Sequence, residues 1–305
     1  MRIGLYLASL PWPAEPEGCR SMLDDLLQAA EGADFHSIWT PDHFFNVPLF
    51  GGAGAPMPEA YTTLSWIAGR TRDVQLGTLV TAAPYRHPAL MAKLATTLDV
   101  LSGGRAWLGV GAGWYEEETQ ALGLRFPSAR DRLGELTEAV QIARQMFDGD
   151  STPFRGTYFT LERPLNVPPP TGRIPILIGG EGERRTLRIV AENADACNFY
   201  DLYDLAGLER KLAVLRRHCE AVGRPYDDIV RTTVGLVSGD DVPLHVERLG
   251  RMAEAGVDLA ILCAPNPADE KEYDMLAEVA RQVRGEGRAE PALLQNAARR
   301  REIVQ

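Results

Sequence analysis

The sequence predicts an α/β protein built as a single (β/α)8 TIM barrel with inserted loops. Three observations carry that prediction. Short apolar runs alternate with amphipathic helical stretches eight times before residue 284, the rhythm of a parallel barrel. The runs are apolar along their length, as strands covered on both faces are. With 45% hydrophobic and 24% charged residues, the chain has enough apolar surface for a large core. Its 305 residues would average two domains of about 150, yet no linker or change of composition divides them. The barrel is therefore assigned to residues 1–284 and a C-terminal tail to 285–305.

The elements follow in order. Residues 3–7 read as the first strand and 21–33 as a helix, with Leu23, Leu26, Leu27 and Ala30 on one face. The second pair is 37–40 and 61–70. The third is 75–80 and 88–101, with Pro88 in the first helical turn, where a missing N–H costs nothing. The fourth is 106–110 and 132–147. The second half repeats the pattern with strands at 174–178, 196–199, 231–236 and 259–262. Helices are predicted after them at 184–192, 205–222, 245–255 and 272–283. Two insertions stand outside the count. Residues 43–60 form a Gly/Pro-rich loop, and 148–172 carry a short strand pair and the rigid run Pro168-Pro169-Pro170. Long loops in a compact domain are usually lids or binding loops.

A net charge of −10 argues against a nucleic-acid surface, which needs clustered cations facing phosphates. The dense basic run Arg299-Arg300-Arg301 reads as a solvated helix end. No run approaches the roughly 18 apolar residues of a membrane span, and Met1-Arg2 leads straight into a strand without a signal-peptide pattern. Cys19, Cys197, Cys219 and Cys263 are scattered without Cys-x-x-Cys spacing, which speaks against a zinc site or a disulfide framework. The expectation is a cytoplasmic enzyme without a metal, acting on a small molecule.

In such a barrel the chemistry belongs at the C-terminal ends of the strands. Strand two ends in Thr40-Pro41-Asp42-His43-Phe44-Phe45. This places an imidazole able to move a proton near neutral pH beside a carboxylate able to orient it or accept from it. A histidine satisfied by a backbone partner next to a Pro-Asp turn is the other reading. Strand four ends in Gly109-Val110-Gly111-Ala112-Gly113-Trp114-Tyr115. The third glycine of a dinucleotide fingerprint is missing. The glycines instead suggest backbone passing close under a flat ligand, with Trp114 and Tyr115 as walls. Glu116, Glu117 and Glu118 read as a solvated helix start rather than a metal cluster, since no histidine accompanies them. After strand five, Gly179-Gly180-Glu181-Gly182 with Arg184 and Arg185 suits a phosphate at a helix N-terminus. The Pro84-Tyr85-Arg86-His87-Pro88 stretch reads equally as a rim or a turn. No serine-hydrolase elbow, zinc-protease helix or nucleotide-triphosphate loop occurs.

Trp39-Thr40-Pro41-Asp42-His43-Phe44, Leu76-Gly77-Thr78, Ser102-Gly103-Gly104-Arg105, the strand-four glycines with Trp114, and Ile178-Gly179-Gly180 occur in this order. Together they resemble the bacterial luciferase-like monooxygenase superfamily from strand one to strand eight. Within it, the chain is most similar to oxidoreductases that use the deazaflavin coenzyme F420. The resemblance implies a homodimer, hydride transfer to or from a small organic substrate, and a separate reductase that regenerates the coenzyme. It implies that Asp42 and His43 lie beside the deazaflavin ring, with His43 handling a proton. It further implies a cis peptide at Leu79-Val80 backing the ring, and a coenzyme site including Gly111, Gly179, Gly180, Glu181, Gly182 and Arg184.

The alternative is an FMN-dependent monooxygenase using dioxygen; such relatives carry Glu-His-His where this chain has Pro41-Asp42-His43. Two departures bear on the substrate. Ala112 stands where the sugar-phosphate dehydrogenases of the family have an acidic residue. No lysine occurs in Asn198-Phe199-Tyr200-Asp201-Leu202-Tyr203, the loop where they bind substrate phosphate. With Phe44, Phe45, Trp114 and Tyr200 as the predicted pocket, together with Tyr203, a neutral or apolar substrate is expected.

Overall fold

The computed structural model describes residues 1–8, 16–33, 35–201, 204–239, 241–264 and 270–283. The predicted tail, the Arg299-Arg300-Arg301 run and Tyr203 lie outside the described residues. Eight parallel strands close into a barrel: β1 (Arg2–Tyr6), β2 (Ser37–Thr40), β3 (Gln75–Thr78), β5 (Ala106–Gly111), β8 (Ile176–Gly179), β9 (Ala196–Tyr200), β10 (Val230–Leu236) and β11 (Leu259–Cys263). Two-residue β4 (Thr81–Ala82) continues β3 beyond a kink and pairs with the upper end of β5, Thr81 opposite Val110. Closure is made by β3 against β5, where Leu76 faces Ala106, and by β1 against β11, where Leu5 faces Leu262. The strand pair predicted in the second insertion is the antiparallel hairpin β6 (Phe154–Arg155) and β7 (Thr160–Leu161). The first insertion holds two single 3₁₀ turns, Pro48–Phe50 and Gly52–Gly54.

The helices around the barrel are α1 (Pro16–Gly32), α2 (Ala60–Arg70), α3 (Pro88–Ser102), α5 (Ala129–Phe147), α6 (Thr186–Asn193), α7 (Leu205–Val222), α8 (Val242–Ala255) and α9 (Glu270–Val283), with short α4 (Glu116–Ala121) at the mouth. Several ends are chemically marked. Ser128 accepts from Asp131 N–H, Asp204 from Gly207 N–H and Asp241 from Leu244 N–H, side-chain caps that satisfy first-turn donors. Those caps move α5 and α8 three residues earlier than the apolar periodicity predicts. In contrast, α6 starts two residues late: Arg185 has φ −120° and flanks the helix, so Arg184 sits in the preceding turn.

Alternate strand residues face two cores. Ile38, Leu76, Leu108, Ile176 and Ile178 pack outward under the helices. Trp39, Trp107, Leu177, Ala196, Val230, Leu259 and Ile261 fill the barrel itself. Trp39 and Trp107 meet edge to face, centroids 5.6 Å apart, a favoured aromatic geometry. Gly77 makes room for them, because a Cβ there would lie 2.6 Å from a Trp39 ring carbon. Arg105 is buried and donates to the carbonyls of Ser102, Ala68, Thr71 and Val74 and to Thr71 Oγ1. It thereby satisfies backbone acceptors at and beyond the end of α2 that burial would otherwise leave unpaired.

Candidate active site

The mouth is built around the link between β3 and β4. The Leu79-Val80 peptide is cis, and Tyr6 at the end of β1 donates its hydroxyl to the Leu79 carbonyl at 3.2 Å. The glycines of the neighbouring strands are explained by this link. A Cβ on Gly109 would stand 1.7 Å from the Thr78 carbonyl oxygen. One on Gly111 would stand 2.8 Å from Val80 Cγ2, and one on Gly179 3.0 Å from both Val80 methyls. Gly111 and Gly179 thus make space for Val80, and Gly109 for the backbone of β3. Val80 itself is half-buried at the centre of the mouth.

Asp42 and His43 follow β2, and their side chains have different partners. Asp42 is buried; Arg86 grips it through Nη1 to Oδ2 at 2.5 Å and Nη2 to Oδ1 at 3.0 Å, and Thr81 Oγ1 donates to Oδ2 at 2.7 Å. Burial works against the Arg86 charge, but the adjoining Asp42 carboxylate outweighs it and raises the guanidinium pKa. Tyr61, buried beside Asp42, has its hydroxyl pushed up to about 12, first by desolvation and then by that carboxylate. Residues 84–88 therefore supply the Asp42 counter-ion, more than a rim or a turn alone.

The His43 imidazole has Glu118 as its partner, Nδ1 standing 3.1 Å from Oε1. This overturns the solvated reading of the acidic run: Glu116 and Glu117 are exposed, but Glu118 is fully buried. Its Oε2 accepts from the N–H groups of Phe44 at 2.5 Å and Phe45 at 2.7 Å, and Oε1 also accepts from the Tyr85 hydroxyl. Burial alone would raise the Glu118 pKa, but hydrogen bonds from His43, Tyr85 and Phe45 prevail and hold it below the ordinary glutamate value. The orienting carboxylate for His43 is therefore Glu118, not the adjacent Asp42. One signal was available: Glu118 stands three residues after the aromatic Tyr115, the spacing of one helical face, and both are buried.

Aromatic rings wall this group. Trp114 stacks on Tyr115 with centroids 5.0 Å apart, and His43 meets both edge-on, at 5.7 and 5.9 Å. Phe44 packs on Tyr85 at 5.1 Å, while Phe45 is half-buried and joins no ring pair among the described residues. Trp114 and Tyr200 are each 58% exposed, large apolar surface left open at the mouth. Tyr200 belongs to a second cluster, its N–H donating to Glu181 Oε1 at 2.6 Å.

In that second cluster Gly180 has φ +129°, a conformation suited to glycine. Among the described residues, the N–H groups of Gly182, Glu183, Arg184 and Arg185 have no hydrogen-bond acceptor, and Arg184 has no ion pair. The turn thus presents free amides and a cation to an anion. Glu181 has a different task from its neighbours: its carboxylate holds Tyr200 N–H and Lys211 Nζ. Lys211, from α7, supplies an ammonium near the loop in which the sequence shows no lysine, already neutralised by Glu181. A separate cavity of about 670 Å³, lined by Arg144, Arg173 and Asp195, lies by residues preceding β8 and β9, at the opposite end of the barrel.

The family model for luciferase-like monooxygenases matches residues 1–302. The chain belongs to the luciferase-like monooxygenase family. Among relatives in this family, an F420-dependent glucose-6-phosphate dehydrogenase of Kineococcus radiotolerans is 34% identical over 226 residues, covering 72% of this chain and 65% of that protein. An F420-dependent hydroxymycolic acid dehydrogenase of Mycobacterium tuberculosis is 30% identical, covering 79% and 65%. The chain thus spans 65% of the length of these two relatives. The barrel also superposes on an F420-dependent secondary alcohol dehydrogenase bound to an F420–acetone adduct, with TM-score 0.79, 21% identity and coverage of 92% and 98%. An EDTA monooxygenase from Chelativorans superposes with TM-score 0.76, 15% identity and 97% coverage of each chain. At these identities the two structures establish the barrel, as predicted. No helix among the described residues is long and apolar enough to cross a membrane.

Proposed function

We propose that this luciferase-like protein is a deazaflavin (coenzyme F420)-dependent oxidoreductase acting on a small neutral alcohol–carbonyl pair. The observation that carries the reading is the His43–Glu118 pair, set among aromatic rings at the barrel mouth. The names of the relatives support the coenzyme. So does the fit of the site: the free amides of 182–185 with Arg184 suit a phosphate, and the Val80 link with Trp114 suits a flat ring. When bound, the coenzyme supplies the hydride acceptor or donor and the protein supplies orientation and proton control.

In the oxidising direction, His43 takes the hydroxyl proton as the hydride leaves the carbinol carbon. In the reducing direction, it returns a proton to the carbonyl oxygen. Glu118 stabilises the imidazolium formed between these events, while Asp42, held by Arg86 and Thr81, fixes the backbone from which His43 projects. The neutral substrate follows from the cations at the mouth. Lys211 is paired with Glu181, Arg86 with Asp42 and Glu59, and Arg248 with Asp201. A phosphorylated sugar would have to break one of these pairs or compete for Arg184. Each turnover leaves the coenzyme in the wrong redox state for the next, so a separate reductase or dehydrogenase that recycles it is the partner this chemistry requires.

Titrating the protein with F420 and with FMN, read by fluorescence, tests the proposal. The expected result is F420 binding with an affinity at least about tenfold, or 1.4 kcal/mol, better than FMN. Tight FMN binding without F420 binding would overturn it in favour of a flavin monooxygenase.

A further inference from the structure

We propose that Glu118 is a positioning residue that sets the His43 tautomer, keeping the proton on Nδ1 and leaving the Nε2 lone pair open to substrate. The inference rests on His43 as the proton-handling group and specifies which of its nitrogens acts. Glu118 is fully buried and its two oxygens have separate donors. Oε2 receives the Phe44 and Phe45 N–H groups, which cannot be anything but donors. Oε1 receives Tyr85 and faces His43 Nδ1. Desolvation, followed by the bond to Glu118, raises the Tyr85 pKa, so the phenol keeps its proton and donates. The hydrogen bonds that lower the Glu118 pKa keep this carboxyl ionised at neutral pH, hence an acceptor on every lone pair. A neutral imidazole facing such an oxygen must offer N–H, so its proton sits on Nδ1. Nε2 has no hydrogen bond to any described residue, and His43 is partly exposed, so substrate can reach that atom.

The same geometry makes an unusual prediction for Glu118→Gln. The two backbone N–H groups are fixed and demand the amide oxygen. The amide nitrogen then falls on the Oε1 side and donates toward His43 Nδ1 and the Tyr85 oxygen. Nδ1 becomes an acceptor, and the proton moves to Nε2, the nitrogen that should have been free. The variant is nearly isosteric and inverts the tautomer. Loss of the correct tautomer in the analogous serine-protease dyad costs about 10⁴-fold in rate.

The test uses coenzyme-free protein labelled with ¹⁵N-histidine, and long-range ¹H–¹⁵N spectra at a pH where His43 is neutral. The chain has five histidines, and His43→Gln identifies the signal by its disappearance. The expected pattern is Nδ1–H in the wild type and Nε2–H in Glu118→Gln. Hydride transfer in that variant should fall by about 10³–10⁴-fold, with F420 affinity changed by less than about threefold. An Nε2–H imidazole in the wild type would overturn the proposal even if the variant failed to fold, as would an unchanged Nδ1–H pattern in a folded Glu118→Gln. An inverted tautomer with undiminished turnover would instead overturn the proton role of His43.

Discussion

Asp42 and Arg86 form a two-point ion pair at 2.5 and 3.0 Å, although His43 is the chain neighbour of Asp42. With 2% exposure on Asp42 and 11% on Arg86, the pair is largely withdrawn from water. Removing one member leaves the other charge buried alone. Arg86→Met is expected to destabilise the fold by about 3–5 kcal/mol, read as a lower urea midpoint with an unchanged slope. Replacing both partners with apolar residues should recover part of that loss.

The Glu118 carboxyl titrates below its ordinary value in the folded protein. Its contribution to stability is therefore complete above the unfolded-state pKa, about 4.3, and is lost as pH falls through the lower folded value. Unfolding free energies measured between neutral and acid pH should show wild type losing this contribution below about pH 4. Glu118→Gln lacks it throughout, so the gap between the two proteins should narrow with acidification. A gap that widens would contradict the assignment.

Gly111 and Gly179 are expected to act through Val80. Gly111→Ala brings a methyl to 2.8 Å from Val80 Cγ2, and the β-branched Val80 has little rotamer freedom with which to yield. A cost of about 1–3 kcal/mol is expected, together with weaker coenzyme binding, measurable by thermal unfolding and by titration. Gly109→Ala meets a backbone oxygen at 1.7 Å and should prevent folding.

Arg105→Met tests the staple beneath the barrel. Its guanidinium serves the carbonyls of Ala68, Thr71, Val74 and Ser102, which methionine cannot. A loss of about 2–4 kcal/mol is expected from the unpaired acceptors, with hydride transfer unchanged in the folded fraction. Denaturant unfolding and kinetics at low temperature separate the two effects.

The barrel was legible in the sequence because periodicity repeats at every element: runs such as Leu76, Leu108 and Ile176 announce strands wherever they fall. The ends were less legible, since caps such as Ser128 and Asp241 lie ahead of the apolar pattern they start. Asp42 and His43 could be singled out from their position after β2, but not their partners. Glu118 comes 75 residues after His43 in a run of three glutamates, and Arg86 in a stretch that resembles a turn. Such pairings depend on the three-dimensional path of the chain. The glycines of β5 stand out in the sequence, but their steric reason, the Thr78 carbonyl for Gly109 and Val80 for Gly111, lies on neighbouring β3 and the link that follows it.

The central claim is that His43 moves the proton while a deazaflavin moves the hydride. Single-turnover hydride transfer by His43→Gln tests it most directly, with F420 and an alcohol–carbonyl pair that the wild type converts. The predicted result is transfer slower by about 10²–10⁴-fold, with F420 binding within about threefold of wild type. Transfer at the wild-type rate with the coenzyme bound would contradict it.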